Sequence, residues 1–293
     1  MAEGAAVAAV VVNRDGGDSL LGCVESLRAA GVEQVVVVDN ASSDGSPARL
    51  VAADPAARLV PTGENLGYGR AANRGAARTE APYLLVCNPD LVAHADAVKV
   101  LVAELEQRPE VAAVGPKILD VHGAVYPSAR AIPSLVTGAG HALLAPFFPD
   151  NPWTRSYRLA EADPGSGREV DWVSGAFLLL RRVAFESVGG FDERYFMYVE
   201  DLDLCWRLGR AGWKVRYAPE AVIVHEQGQS AARHPLRMLA AHHRSTWRFE
   251  CRHARGLERA LLPVIGLALL ARLGVTGVRE LARGRTERPE RQG

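Results

Sequence analysis

From residue 7 to residue 90 the chain alternates apolar runs with amphipathic stretches in a regular order. Val7 to Val12 is an unbroken apolar run that reads as a strand. Residues 19–30 carry apolar positions at helical spacing and are closed by Gly31. Strand 34–39, helix 46–53, an extended piece at 58–61, helix 68–78 and strand 83–87 follow. Strand and helix in turn predict an α/β chain built on a parallel sheet.

After Gly115 the pattern changes. A proline-rich span from Pro116 to Pro164 holds Tyr126-Pro127-Ser128-Ala129-Arg130 and Asn151-Pro152-Trp153, and a stretch so dense in turns usually shapes a binding site. Phe177 to Leu180 predicts a strand, Leu202, Cys205, Trp206 and Gly209 fall at helical spacing, and 214–217 and 222–224 predict two more short strands. Ala260 to Ala271 is an uncharged dozen broken by Pro263, too short to span a bilayer and flanked by Arg255, Arg259, Arg272 and Arg279. It predicts a helix lying in a membrane interface. The competing reading is a helix buried in the core or between two copies of a homo-oligomer. The expected organisation is one main domain over residues 1–230, with halves 1–115 and 116–230, and a basic, partly apolar helical region over 231–293.

At 293 residues and 48% hydrophobic, the chain is long enough to bury one large core. Cys23, Cys87, Cys205 and Cys251 are scattered without a CxxC pair, which speaks against a zinc site or disulfide framework and for a reducing compartment. No basic region precedes the apolar run at Ala5 to Val12, so a signal peptide is not expected. The formal charge is zero, yet residues 233–293 hold thirteen Arg against five Glu, a surplus of eight balanced by eight negative charges before residue 233. That asymmetry predicts a surface partner. No nucleic-acid-binding motif accompanies the arginines, and an anionic membrane suits them better.

Candidate chemistry lies where apolar runs stop. Leu84 to Cys87 ends in Asn88-Pro89-Asp90, and Val35 to Val38 ends in Asp39 before a Gly/Ser-rich turn. Both leave a carboxylate at a strand's carboxyl end, where open α/β sheets bind ligands. Between Phe191 and Arg207, the acids Glu200, Asp201 and Asp203 crowd one turn behind aromatic residues. Burial and mutual repulsion there would raise a carboxylate's pKa toward that of a general base. The plainer reading is an acidic helix start with Asp203 paired to Arg207. Gly67-Tyr68-Gly69-Arg70-Ala71-Ala72 matches GxGxxA but does not follow the first strand. It is rejected as a dinucleotide fingerprint, leaving a close backbone approach as its use.

In their order and wording these segments resemble the inverting family 2 glycosyltransferases of the A-type fold. The motifs are Val-Asp-Asn-Ala-Ser-Ser-Asp-Gly-Ser at 38–46, Glu-Asn-Leu-Gly-Tyr-Gly at 64–69, Asn-Pro-Asp at 88–90, Ser-Gly-Ala at 174–176 and Glu-Asp-Leu-Asp-Leu at 200–204. The likeness is strongest to the rhamnosyltransferases that act on polyprenol-linked N-acetylglucosaminyl diphosphate in arabinogalactan linker synthesis, and it weakens beyond about residue 255.

The resemblance implies a Rossmann-like nucleotide-binding half with a mixed central sheet, and a C-terminal helical segment. It also implies a divalent metal, Mg²⁺ or Mn²⁺, and transfer from dTDP-L-rhamnose to a lipid-linked acceptor. Asp201 would be the general base with Glu200 orienting acceptor or base. Asn13, Asp39, Asn65, Gly67, Asn73, Asn88 and Gly175 would bind the nucleotide sugar. Asp90 and His225 would hold the metal; Asn88, where many relatives carry an acid, offers an amide oxygen instead. Trp172, Asp203, His243 and Arg244 would meet the acceptor or its diphosphate. The implied location is cytoplasmic, peripheral on the inner face of the plasma membrane. A family 2 enzyme using another nucleotide sugar for a polysaccharide or O-antigen acceptor is the alternative. A nucleotidyltransferase is disfavoured because Asp15-Gly16-Gly17-Asp18 lacks a basic phosphate loop, and a non-catalytic scaffold because Asp39, Asp90, Asp201 and His225 occur together.

Overall fold

The computed structural model of the chain describes residues 6–132, 137, 144, 148, 150–157, 163, 165–226, 235–256 and 258–286. In chain order it contains β1 (Val7–Asn13), α1 (Ser19–Ala29), β2 (Gln34–Asp39), α2 (Ser46–Ala53), β3 (Arg58–Pro61), α3 (Tyr68–Ala76) and β4 (Tyr83–Cys87). Next come β5 (Leu91–Ala93), α4 (Ala97–Gln107), β6 (Val111–Leu119), β7 (Val125–Tyr126), β8 (Ala129–Arg130), α5 (Pro152–Tyr157), β9 (Arg168–Val170) and β10 (Trp172–Val173). The chain then forms β11 (Phe177–Arg181), α6 (Arg182–Ser187), α7 (Glu200–Arg210), β12 (Lys214–His225), α8 (Pro235–His253) and α9 (Glu258–Thr286).

The main sheet runs β3-β2-β1-β4-β11-β6-β12-β5, with β7 on β6 and β9 on β12. The β3-β2-β1-β4 block is parallel, β11 is antiparallel to both neighbours, and β12 is parallel to β6. The sheet is therefore mixed, as the resemblance implies. Its apolar strands are continuous because both faces are covered. Ala9 and Val11 of β1 pack with Leu20, Leu27 and Leu101 on one face, while Val10 and Val12 pack with Ala72, Phe185 and Leu204 on the other. Gly75 lets α3 close on the sheet: a Cβ there would lie 2.3 Å from Val10 Cγ1 and 2.8 Å from Val38 Cγ2.

Three expectations are corrected. The pieces at 214–217 and 222–224 are one strand, β12, whose pairing with β6 shifts between Ala218 and Val222. Pro219 has no N–H for the ladder, so the strand bulges there instead of ending. Residues 91–119 hold β5, α4 and β6, which the apolar pattern had not separated, and β6 runs through residue 115 to join both halves in one sheet. The apolar dozen near the C-terminus is part of a 29-residue helix that continues past Pro263. Its stretch Glu258–Gly277 is, by length and composition, long enough to cross a membrane, with none of that window buried in the protein.

Candidate active site

The candidate side chains gather at the carboxyl ends of β1, β2, β4 and β12 and at the amino end of α7. Parallel register puts Asn13 beside Asp39. Asn13 is fully buried, and its Nδ2 donates to Ser42 Oγ at 3.0 Å and Ser46 Oγ at 3.1 Å, while Oδ1 has no partner. Asp39 Oδ1 accepts from the Ser42 N–H at 3.1 Å, so the loop entering α2 wraps the end of β2.

Two strands away, Asn88 N–H donates to the Ala176 carbonyl, which ties the Asn-Pro-Asp turn to the start of β11. His225 ends β12 opposite Leu91, and its Nε2 lies 3.0 Å from Asp90 Oδ1 and 3.2 Å from Asn88 Nδ2. A neutral imidazole nitrogen cannot both donate to Asp90 and accept from Asn88. Turning the Asn88 amide over replaces its donor with Oδ1. Carboxylate, amide oxygen and imidazole then converge, a mixed oxygen and nitrogen set suited to a hard divalent cation. Among the described residues no group of three or more His, Cys, Asp and Glu could hold a metal. Such a cation would need further ligands, which a diphosphate can supply.

The acids of α7 are positioned by strain and by hydrogen bonds. Tyr198 and Val199 precede the helix with φ of 65° and 69°, a left-handed pair that a β-branched residue rarely joins. Asp201 is half-buried. Its Oδ2 accepts from the Gly175 N–H at 2.8 Å and its Oδ1 from the Leu202 N–H at 2.8 Å. Burial raises its pKa, opposed by those two N–H groups and by the charge of Arg130. Glu200 is buried with Oε2 unpartnered, and burial, then the Asp201 charge, raise its pKa. The arrangement leaves Asp201 hydrogen-bonded by the backbone with a lone pair to spare on each oxygen, beside a Glu200 that burial and the Asp201 charge make easier to protonate. Tyr68 completes the frame, donating through its hydroxyl to the Gly175 carbonyl at 2.6 Å.

Other expected residues have different employment. Gly67 does make a close backbone approach, to this chain's own Phe196: with φ of 85°, a Cβ there would lie 2.0 Å from the Phe196 oxygen. Asn65 Oδ1 accepts from Asn40 Nδ2 and the Gly67 N–H, so its side chain shapes that loop. Asn73 clasps Phe191, accepting from its N–H at 2.9 Å and donating to its carbonyl at 2.8 Å. Trp172 is buried, with its indole N–H on the Ala131 carbonyl. Asp203, at 0% exposure, is enclosed by Arg207, His253 and Tyr195, which favours the plainer reading of a structural pair over an acceptor contact. His243 is buried, and burial, then the Arg272 charge, lower its pKa, which counts against a diphosphate contact. Arg244 is exposed on α8.

The sequence reading assigned no role to Asn40, Tyr68 or Arg130. Asn40 is buried and bonds the 65–67 loop at three points. Its neighbour Asp39 drew attention by charge, and nothing local marked the amide.

The chain matches the description Glycosyl transferase family 2 over residues 7–188. It belongs to that family. This glycosyltransferase is 46% identical over 239 residues to the N-acetylglucosaminyl-diphospho-decaprenol L-rhamnosyltransferase of Mycobacterium tuberculosis, covering 78% of each chain. It is 40% identical to Escherichia coli rhamnosyltransferase WbbL over 83 residues, 28% of this chain and 31% of that one. In fold it is similar to a mannosyltransferase from Pyrobaculum calidifontis solved with GDP-Man and Mn²⁺, at a TM-score of 0.59 and 18% identity, covering 96% of this chain and 79% of the other.

Proposed function

We propose that this enzyme transfers L-rhamnose, with inversion, from dTDP-L-rhamnose to an N-acetylglucosaminyl-diphospho-polyprenol, as a step in building a cell-wall arabinogalactan linker. The observation that carries this reading is the 46% identity to the mycobacterial rhamnosyltransferase across 78% of both chains. The site chemistry agrees with it. Asp201, held by two N–H groups, takes the proton of the acceptor hydroxyl as that oxygen attacks the anomeric carbon from the face opposite the departing nucleotide. A single displacement with one base inverts the centre and asks for no carboxylate nucleophile. Asp39 and Asn13 stand where a nucleoside would lie, at a sheet's carboxyl edge. Asp90, His225 and Asn88 would hold a divalent cation, Mg²⁺ or Mn²⁺, whose chemistry is to offset the charge growing on the leaving diphosphate.

The exposed apolar face of α9 and the basic residues around it would seat the enzyme on the cytoplasmic face of the membrane, where a polyprenol acceptor is anchored. Arg244, exposed on α8, would meet the acceptor's diphosphate.

Incubating the protein with dTDP-L-rhamnose, lipid-linked N-acetylglucosaminyl diphosphate and Mg²⁺ or Mn²⁺ tests this, with disaccharide lipid followed by mass spectrometry. The native chain is expected to form product and to stop when EDTA removes the cation. Asp201→Asn is expected to lose about 10²–10⁴-fold in kcat with donor affinity retained. Turnover with a UDP or GDP sugar but not with dTDP-L-rhamnose discards the rhamnosyl assignment and keeps the mechanism.

A further inference from the structure

Ser245 turns its hydroxyl away from its own helix. A serine or threonine inside a helix either points to solvent or returns its hydroxyl to the carbonyl four residues back. Thr246 on α8 does the latter, donating to the His242 carbonyl at 2.9 Å. Ser245, 5% exposed, instead donates to the Met197 carbonyl at 2.8 Å, 48 residues earlier in the chain. The contact belongs to a stripe. His242, Ser245, Phe249 and His253 recur three and four residues apart and so share one face of α8. His242 meets the Tyr198 ring with centroids 5.5 Å apart, Phe249 packs with Leu204 and Leu208 of α7, and His253 reaches Asp203 Oδ1 at 3.1 Å.

What this face holds is the turn that opens α7. Tyr198 and Val199 are left-handed, at φ of 65° and 69°, a conformation that persists only where the surroundings impose it. The Val199 carbonyl accepts the Asp203 N–H at 2.8 Å, so Glu200 and Asp201 are the first residues of a helix built on that turn. Two successive carbonyls before it are pinned by two different elements. The Phe196 oxygen accepts from the Tyr68 N–H of α3 at 2.9 Å, and the Met197 oxygen from Ser245 of α8. Helix α3 also reaches the candidate base, since the Tyr68 hydroxyl donates to the Gly175 carbonyl and the Gly175 N–H to Asp201 Oδ2. The Asp201 carboxylate is thus tied to α3 through Gly175, and its backbone to α8 through the turn. A misplacement of about 1 Å can cost a reacting group about 10²-fold in rate, so the shape of this turn matters to the chemistry.

We propose that Ser245 is a positioning residue for the transfer reaction: its hydroxyl, through the Met197 carbonyl, holds the left-handed turn at Tyr198 and Val199 and so sets the direction in which Asp201 leaves α7. The proposal rests on Asp201 being the base in the function proposed above. The hold on the turn can be read without any substrate.

The test compares the full chain with Ser245→Ala and Ser245→Thr, by amide hydrogen exchange followed by NMR and by steady-state kinetics. The reporter is the Asp203 amide, bonded to the Val199 carbonyl; the control is the Val100 amide, bonded in the same way to Asp96 in the first turn of α4. In Ser245→Ala the Asp203 amide is expected to exchange roughly three- to tenfold faster, the range that one neutral hydrogen bond supports, with Val100 unchanged. There kcat should fall by about tenfold while KM for the donor stays within about twofold, and Ser245→Thr, which keeps the hydroxyl, should restore both rates. Unchanged Asp203 exchange, or an equal rise at Asp203 and Val100, overturns the proposal. Faster Asp203 exchange with native kcat overturns it too, because the turn would then be held without consequence for the base. If Ser245→Ala does not fold, Ser245→Thr is read against its isostere Ser245→Val, and equal exchange in the two overturns it. Absence of turnover in the native chain would strike the assigned function and leave the hold on the turn to be judged by exchange.

Discussion

Glu200 and Asp201 are neighbours of the same chemistry and are set apart by what surrounds them. Asp201 receives two backbone N–H groups and the charge of Arg130, whereas Glu200 is buried with one oxygen unpartnered. The folded chain therefore holds the Glu200 proton to higher pH than the unfolded chain does. Folding takes up a proton in that window, so stability falls as pH rises from the ordinary glutamate range through the raised folded value. Replacing Glu200 by Gln should stabilise the fold above that window by about 1–2 kcal/mol and change little at pH 4, as read by urea unfolding at the two pH values. An equal effect at both would deny the buried neutral acid. Asp201 as the candidate base was readable from an acid behind aromatic residues. What distinguishes it from Glu200 was not, because Gly175, whose N–H holds its carboxylate, is remote in sequence.

Helix α7, which carries the proposed base, is anchored from behind by helix α8. Asp203 on α7, fully buried, accepts from Arg207 at 2.7 Å, from the Tyr195 hydroxyl at 3.2 Å and from His253 of α8 at 3.1 Å. The His253 ring lies between Trp206 and Phe249, Ser245 donates to the Met197 carbonyl, and Arg252 pairs with Asp192. These contacts fix both ends of the segment that carries the left-handed Tyr198 and Val199. Burial pushes the Asp203 pKa up, but the bond from His253 and the charge and bond of Arg207 outweigh it and hold it below the usual value. Its contribution is present above the ordinary aspartate pKa and is lost as pH falls through the lowered folded value. Asp203→Asn should cost about 3–5 kcal/mol at pH 7, by leaving Arg207 partly buried without its charge partner, and less at pH 3. Thermal unfolding at both pH values checks this. Equal loss at each would reduce the network to packing alone. The i,i+4 pairing of Asp203 with Arg207 was readable from spacing, and the closing contact from His253 was not, since fifty residues separate the two.

Across the whole molecule, positive charge and exposed apolar surface are concentrated in the same C-terminal region. On α9, Val264, Leu267 and Leu270 are 63%, 68% and 67% exposed, while Gly266 on the other face meets the Trp247 ring of α8. One face is thus used in binding α8 and the other stands bare, with Arg255 and Arg259 near the helix start. The chain should sediment with vesicles containing phosphatidylglycerol. Leu267→Gln combined with Leu270→Gln should reduce that binding about tenfold or more with little shift of the thermal midpoint, because both residues are mostly exposed. Unchanged sedimentation would assign the face to another partner. Raised salt should weaken binding only in part, since apolar burial is not screened.

The alternating pattern determined the α/β class and the parallel block, because strands buried on both faces must be apolar, and it pointed to the proposed site, because the strands stop there. Asp39, Asp90 and Asp201 drew notice for the same reason: each interrupts an apolar or aromatic run, and the roles proposed for them follow from that placement. Tertiary structure alone decided the rest. The sheet brought His225 to Asp90 across 135 residues, put Asp203 and His243 out of reach of solvent, and gave Arg130 a cage of Tyr126, Tyr157 and Trp172 from three separate segments. Such outcomes depend on contacts between distant elements, and these leave no periodicity in the chain to be read.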